Sequence, residues 1–226
     1  MPIITLCELL YTKITNENKI QMNQSKENLK KQEFLQVILR NAYRLYQLTQ
    51  DILDVTKIES QILRLNKELI QLDEIIENIV NDYKDNTNRK RYDSDKEIGI
   101  IYEPIKDPIF VNVDKARIIQ VLSNILGNAL KFTKGGNISI SFKKINENKE
   151  VIVTIKDSGT GIDPGIYPRL FTKFATKSEE GTGLGLYISK SIVEAHGGQI
   201  WAENNSDGRG ATFYFTLPIG KSCDIK

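Results

Sequence analysis

The 226-residue chain holds one histidine and two cysteines, and each shortage narrows the classes of function open to it. One histidine argues against zinc hydrolases, whose metal is held by clusters of histidine with cysteine or carboxylate. Cys7 and Cys223 stand near opposite ends without metal-ligand spacing, so they read as free thiols in a reducing compartment. No apolar run approaches the roughly 18 residues that a membrane-crossing helix needs. The first residues lack a basic-then-apolar leader. Net charge is only +2, with charged residues 27% of the total, so neither a nucleic-acid groove nor an acidic tail is indicated. The expectation is a cytoplasmic protein that binds no nucleic acid.

What is present falls into two regimes. In the first, Phe34, Ile38, Asn41, Leu45, Leu48, Ile52, Val55 and Glu59 step by four and three, the spacing of a helix that buries a seam against other helices. Asn41 is a polar interruption of the kind that fixes register. Ile3, Cys7, Leu10 and Ile14 repeat the spacing, and the polar stretch TNENKIQMNQSKEN connects the two runs. An antiparallel helical hairpin is expected over residues 1–64, too thin to stand alone and so paired with a second copy. A helix pair packed inside one domain is the alternative.

From about Leu65 the pattern mixes helices and strands. LDEIIENIVNDY reads as helical, EIGIIYE and IFVNV as short strands, and Asp114 to Phe132 as a long helix. NISISFKKI and EVIVTIKD alternate like a hairpin of half-buried strands. LGLYISKSIVEAH is a helix closed by Gly197 and Gly198, and GQIWAEN with GATFYFTL makes a final hairpin. This order predicts an α+β sandwich over residues 65–220, with a tail at 221–226, rather than a doubly wound sheet.

Two phosphate motifs fail on counting. After Gly181 and Gly183 the dinucleotide fingerprint wants glycine at 186, which is Leu; a P-loop ending in GKS at 220–222 wants glycine at 215, which is Phe. Each glycine turn by itself serves chain reversal as well as ligand binding. Three elements together say more. On the long helix, Arg117, Gln120, Asn124, Asn128 and Lys131 share one face at about 100° per residue, with Ile118, Leu122, Ile125 and Ala129 opposite. A solvent-facing stripe usually mixes Glu with Lys; two asparagines one turn apart followed by lysine suit Mg²⁺ and phosphate better. DSGTG ends a strand, where Asp157 could accept from an exocyclic amine while Gly159 and Gly161 let backbone come close. An Asp-Ser-Gly turn is the plainer reading of that segment. GTGLGL opens a helix, whose first amides suit phosphate.

This combination resembles the ATP-binding domain of two-component sensor histidine kinases, in the ATPase superfamily shared with type II topoisomerases and heat-shock chaperones. SNILGNALKFT is similar to the family's N box, DSGTGI and GTGLGL to its two glycine boxes, LFTKF to its phenylalanine box, and GRGATFYFTLP to its closing glycine and strand. QVILRNAYRLYQLTQDILDVTKIES resembles the second helix of the dimerisation bundle. The implied fold is the Bergerat-type two-layer sandwich, a mixed sheet of about five strands under three helices.

The resemblance implies ATP and Mg²⁺ as cofactors and assigns roles. Asn128 holds Mg²⁺, Lys131 touches phosphate, Phe132 lies near the nucleotide and Asp157 selects adenine. Asn124, Gly159, Gly161, Ile162 and Thr212 complete the surroundings. Gly181, Thr182, Gly183, Leu184, Gly185 and Leu186 cradle the phosphates beneath a lid at about 163–180. Where the family often has a lid arginine this chain has Thr176, so Lys177 or Lys173 is expected to supply the charge. In hydrolytic relatives a glutamate one turn before the metal-binding asparagine activates water; here Asn124 stands there and takes no proton. Phosphoryl transfer to histidine is therefore favoured over hydrolysis of the gyrase or chaperone type. A nucleotide-independent docking module is a third reading.

His196 closes the helix of the second glycine box and is expected to be structural. MPIITLCELL resembles the sequence that follows the family's acceptor box, which implies an acceptor histidine upstream of Met1. The chain is then expected to be unable to phosphorylate itself, as a piece of a longer kinase or, alternatively, as a naturally shortened one that acts on a separate protein. Implied partners are a response-regulator receiver domain and a second copy through the hairpin, with a membrane reached only through an absent sensor region.

Overall fold

A computed structural model describes residues 26–90, 98–103, 107–147, 149–177 and 181–220. The first run of the helical seam, Ile3 to Ile14, lies outside the described residues, as do both cysteines. The chain divides into two units between Glu59 and Ser60.

In the first unit, α1 spans Lys26–Glu59. Its seam is open along much of its length: Phe34 is 69% exposed and Leu45 67%, and Ile38 and Ile52 are exposed too. Asn41 satisfies its amide on its own helix, donating to the Val37 carbonyl at 2.9 Å. No helix among the described residues is long and apolar enough to cross a membrane.

The second unit runs β1 (Glu68–Gln71), α2 (Leu72–Lys90), β2 (Ile98–Tyr102), β3 (Phe110–Val113), α3 (Lys115–Phe132), β4 (Gly136–Ile145), β5 (Glu150–Asp157), α4 (Gly185–Ala195), β6 (Ile200–Asn204) and β7 (Ala211–Pro218). Five strands make one sheet in the order β2-β4-β5-β7-β6. The β2–β4 pair is parallel and the others antiparallel, so the sheet is mixed, as the α+β reading expects. Alternation explains the layers. Ile138, Ile140 and Phe142 of β4 and Val151, Val153 and Ile155 of β5 are buried, while Ser141, Lys143 and Lys156 face water. Against this face pack Ile75, Ile76 and Ile79 of α2, Ile118, Leu122 and Ile125 of α3, and Ile188 and Ile192 of α4. Each such side chain contributes about 1.5–3 kcal/mol by leaving water.

One arrangement was not legible in the pattern. β3 does not join the main sheet; it pairs antiparallel with β1, a strand that periodicity did not reveal, in a separate two-stranded sheet. Four residues are too few for alternation to show, and β1 runs straight into α2.

Helix ends fix the elements that matter next. Asp114 caps α3 by accepting from the Arg117 amide at 3.2 Å. At the far end of α4, Gly197 adopts φ +84, and the Gly198 amide donates to the Val193 carbonyl at 3.0 Å. That is the left-handed stop expected of the glycine pair.

Candidate functional site

The last two turns of α3 touch both glycine turns. At one end, the Asn124 amide donates to the Gly185 carbonyl at 3.1 Å and to Ser189 Oγ at 3.3 Å. A Cβ at Gly185 would stand 3.3 Å from that side chain, so glycine lets α4 begin against α3. At the other end, the Phe132 carbonyl accepts from the Thr160 amide at 3.3 Å, and a Cβ at Gly159 would stand 2.6 Å from the same oxygen. Asn128 lies between, one turn from each contact and half-buried. Among the described residues its amide has no hydrogen-bond partner. Lys131 is exposed, its ammonium 5.8 Å from the centre of the Phe132 ring.

Asp157, at the end of β5, is 5% exposed. One carboxylate oxygen accepts from the Gly159 amide at 2.8 Å and the Ala211 amide at 3.3 Å. The other takes no hydrogen bond from a described residue. Burial raises the pKa of this carboxyl, and the two amides pull it part of the way back. Ile162 is buried, and Gly161 before it adopts φ +76. Thr212 is buried on β7 and donates its hydroxyl to Asn205 Oδ1 at 2.6 Å.

The second glycine turn leads into α4, which no side chain caps. Among the described residues the N-cap side chain makes no hydrogen bond to the opening amides, an arrangement that suits an anion. Thr182 Oγ1 accepts from the Leu184 amide at 3.2 Å, and Gly181, Gly183 and Leu186 are half-buried around it. Gly183 has φ +68, and its Cβ position lies 2.6 Å from the Phe174 carbonyl carbon, so the turn packs on the phenylalanine box. Both lid lysines have contacts: Lys177 pairs with Asp163 at 2.7 Å, and Lys173 lies 5.3 Å from the centre of the Tyr187 ring. The ion pair holds the Asp163 carboxyl below the usual carboxylate range. Glu179 and Glu180 of the lid lie outside the described residues.

Two functional-looking residues escaped the sequence reading. Asn204 exchanges two hydrogen bonds with the backbone of Ile162, and the Asn205 amide donates to the Asp157 carbonyl at 2.8 Å. In the sequence they open the stretch NNSDGRG, which reads only as a hairpin turn. Spacing carries no sign of a bond to a segment 42 residues earlier.

His196 is 3% exposed and spends both nitrogens. Nδ1 donates to the Ile192 carbonyl at 2.8 Å, and Nε2 accepts from the Asp114 amide at 3.0 Å. Asp114 also accepts from the Asn66 amide at 2.9 Å, so the ring ties the end of α4 to the start of α3 and the entry to β1. Burial is the main cause that lowers its pKa, with the Lys67 charge adding to it. The neutral ring is thus the folded form. Its contribution is complete above about pH 6.5, the unfolded value, and is lost as pH falls towards the lower folded one. Urea midpoints from pH 8 to 5 are expected to drop below about pH 6.5, and His196→Gln to flatten that drop.

Residues 113–221 match the family model described as histidine kinase-, DNA gyrase B- and HSP90-like ATPase. The solved catalytic domain of the histidine kinase ThkA, a nucleotide-free form, is 30% identical with a TM-score of 0.58, and the match covers 68% of this chain and 95% of that one. The chain belongs to this family. Its histidine kinase-type catalytic domain also has curated relatives. The sensor histidine kinase WalK of Bacillus subtilis (strain 168) is 35% identical over 196 residues, 82% of this chain and 30% of WalK. The WalK sensor kinase of Staphylococcus aureus (strain MRSA252) is 33% identical over 193 residues, with the same coverage. The chain thus spans 30% of the length of these relatives. Full-length ShkA, solved in complex with AMPPNP, shares the fold with a TM-score of 0.70 at 22% identity, over 97% of this chain and 46% of ShkA.

Proposed function

We propose that the second unit binds Mg-ATP and donates its γ-phosphoryl group to a histidine on a dimerisation helix, for relay to a receiver domain. The observation that carries this is Asn128: its side-chain amide has no hydrogen-bond partner among the described residues and lies midway between two glycine turns that are both docked on its helix. The fit to Mg²⁺ follows from the donors. Among the described residues no cluster of three His, Cys, Asp or Glu side chains is present to cage a metal. Mg²⁺ asks for few protein ligands and takes the rest from phosphate and water. Asn128 would hold the ion, which supplies charge neutralisation at the phosphates when bound. The uncapped start of α4 would take phosphate oxygens, with Lys131 as a further cation and Lys177 or Lys173 as the lid charge. Asp157 would read the base.

Transfer is preferred to hydrolysis because Asn124 has no proton-accepting group and its amide is held by Gly185 and Ser189. The exposed seam of α1 supports pairing with a second copy. With Mg-ATP at about 100 times its dissociation constant, the wild-type chain is expected to gain about 2.7 kcal/mol in its unfolding free energy. Asn128→Ala is expected to erase the difference between Mg-ATP and ATP with EDTA. Added to a protein that bears a complete acceptor helix, labelled ATP should leave acid-labile phosphate on histidine. Label recovered only as free phosphate would replace this reading with a hydrolase.

A further inference from the structure

We propose that Asn204 and Asn205, the adjacent residues where β6 ends, are positioning residues that brace the two ends of the first glycine turn and so fix where Asp157 meets the base. The inference rests on the Mg-ATP reading and extends it to residues that touch no ligand. Asn204 Oδ1 accepts from the Ile162 amide at 2.6 Å, and its Nδ2 donates to the Ile162 carbonyl at 3.0 Å. One side chain thereby satisfies both backbone groups of the residue that ends DSGTGI, which needs a donor and an acceptor on one fork. Asn205 Nδ2 donates to the carbonyl of Asp157, the residue that begins the same segment, at 2.8 Å, and to the Arg209 carbonyl at 2.6 Å. Its Oδ1 accepts from Thr212 Oγ1, which orients the amide.

Hairpin closure alone does not call for these contacts. Backbone pairing of Asn204 with Ala211 and the Asn205 amide's bond to the Gly210 carbonyl already close it. The Asn204 side chain reaches across to another segment instead, and Asn205 does so with its bond to the Asp157 carbonyl while its other contacts stay within the hairpin. Between the braced ends, Gly161 sits at φ +76, where a Cβ would come 2.8 Å from Asn204 Oδ1. The glycine turn is shaped around the asparagine. Asn204 is exposed, so shortening it removes the brace without opening a core cavity.

The test compares wild type with Asn204→Ala, Asn205→Ala and Asn204→Asp by calorimetry with Mg-ATP and Mg-ITP, alongside urea midpoints. ITP replaces the exocyclic amine with a carbonyl, so the ratio of the two affinities reports on Asp157 and is blind to a loss of folded protein. Each alanine variant is expected to bind Mg-ATP about tenfold more weakly, the equivalent of one net hydrogen bond. Its preference for ATP over ITP should shrink while binding stoichiometry holds. Asn204→Asp keeps the acceptor for the Ile162 amide but sets an oxygen against the Ile162 carbonyl, and should lose at least as much. Being isosteric, it carries the test if an alanine variant fails to fold. Wild-type affinity and wild-type ATP:ITP preference in the variants would overturn the brace alone. A wild-type chain that binds neither nucleotide overturns the Mg-ATP reading, and the brace with it.

Discussion

Asp157→Asn is expected to weaken Mg-ATP binding about a hundredfold while leaving the fold at least as stable as wild type. The carboxylate's free oxygen is the group proposed to accept from the adenine amine, a hydrogen bond to a charge worth about 1.5–3 kcal/mol. Asparagine keeps its carbonyl oxygen where the Gly159 and Ala211 amides already donate, at 2.8 and 3.3 Å. Its amide nitrogen then occupies the free position and meets the adenine amine donor to donor. Stability follows a different sign. Burial raises the folded pKa of Asp157, so the folded chain holds that proton more tightly than the unfolded one. Stability therefore falls as pH rises from about 3.8 through the folded value, and stays lower above it. The amide carries no such penalty, so the variant's urea midpoint at pH 7 should equal or exceed that of wild type. Its base preference should also swing towards ITP, whose carbonyl accepts from the new amide. Undiminished ATP affinity in this variant would mean that Asp157 does not read the base.

The contrast between what could and could not be read beforehand is physical. α3 was legible because eighteen residues carry both an apolar stripe and a capping aspartate, and the stripe buries Ile118, Leu122, Ile125 and Ala129 as its period requires. β4 and β5 were legible because alternation survives over eight residues or more. β1 was not, since four residues joined directly to a helix show no period. The glycine turns were legible as turns, because positive φ at Gly161 and Gly183 excludes most other residues. What glycine spacing does not encode is the partner on the other side. The Asn124 to Gly185 contact joins residues 61 apart, and the Asn205 to Asp157 contact joins residues 48 apart. Asparagine in a turn-rich stretch looks the same whether its amide serves its own loop or a distant one. His196 illustrates the converse: its place at a helix end signalled structure, but only the fold reveals that Asp114 is its partner.

Two glycines in one hairpin separate conformational cost from crowding, and the larger effect belongs to Gly210. Gly208 and Gly210 adopt nearly the same backbone, φ +74 and +76, so alanine at either pays about 1–2 kcal/mol for the left-handed region. Nothing lies within 4 Å of a Cβ at Gly208. At Gly210 a Cβ would fall inside the Asp157 carbonyl oxygen and 2.7 Å from the Gly159 nitrogen, and both neighbours are backbone of the first glycine turn. No side chain can swing aside to relieve that overlap, so β7 or the turn itself must shift. Overpacking of this kind costs about 1–3 kcal/mol beyond the conformational cost. Gly208→Ala should therefore lose about 1–2 kcal/mol in urea unfolding and keep wild-type Mg-ATP affinity. Gly210→Ala should lose about 2–5 kcal/mol, the sum of the two costs. Its folded fraction should bind Mg-ATP at least tenfold more weakly, because the displaced strand carries the Ala211 amide away from Asp157. Equal losses in the two variants would mean that the turn yields freely at Asp157, and that its geometry is set by the nucleotide rather than by the protein.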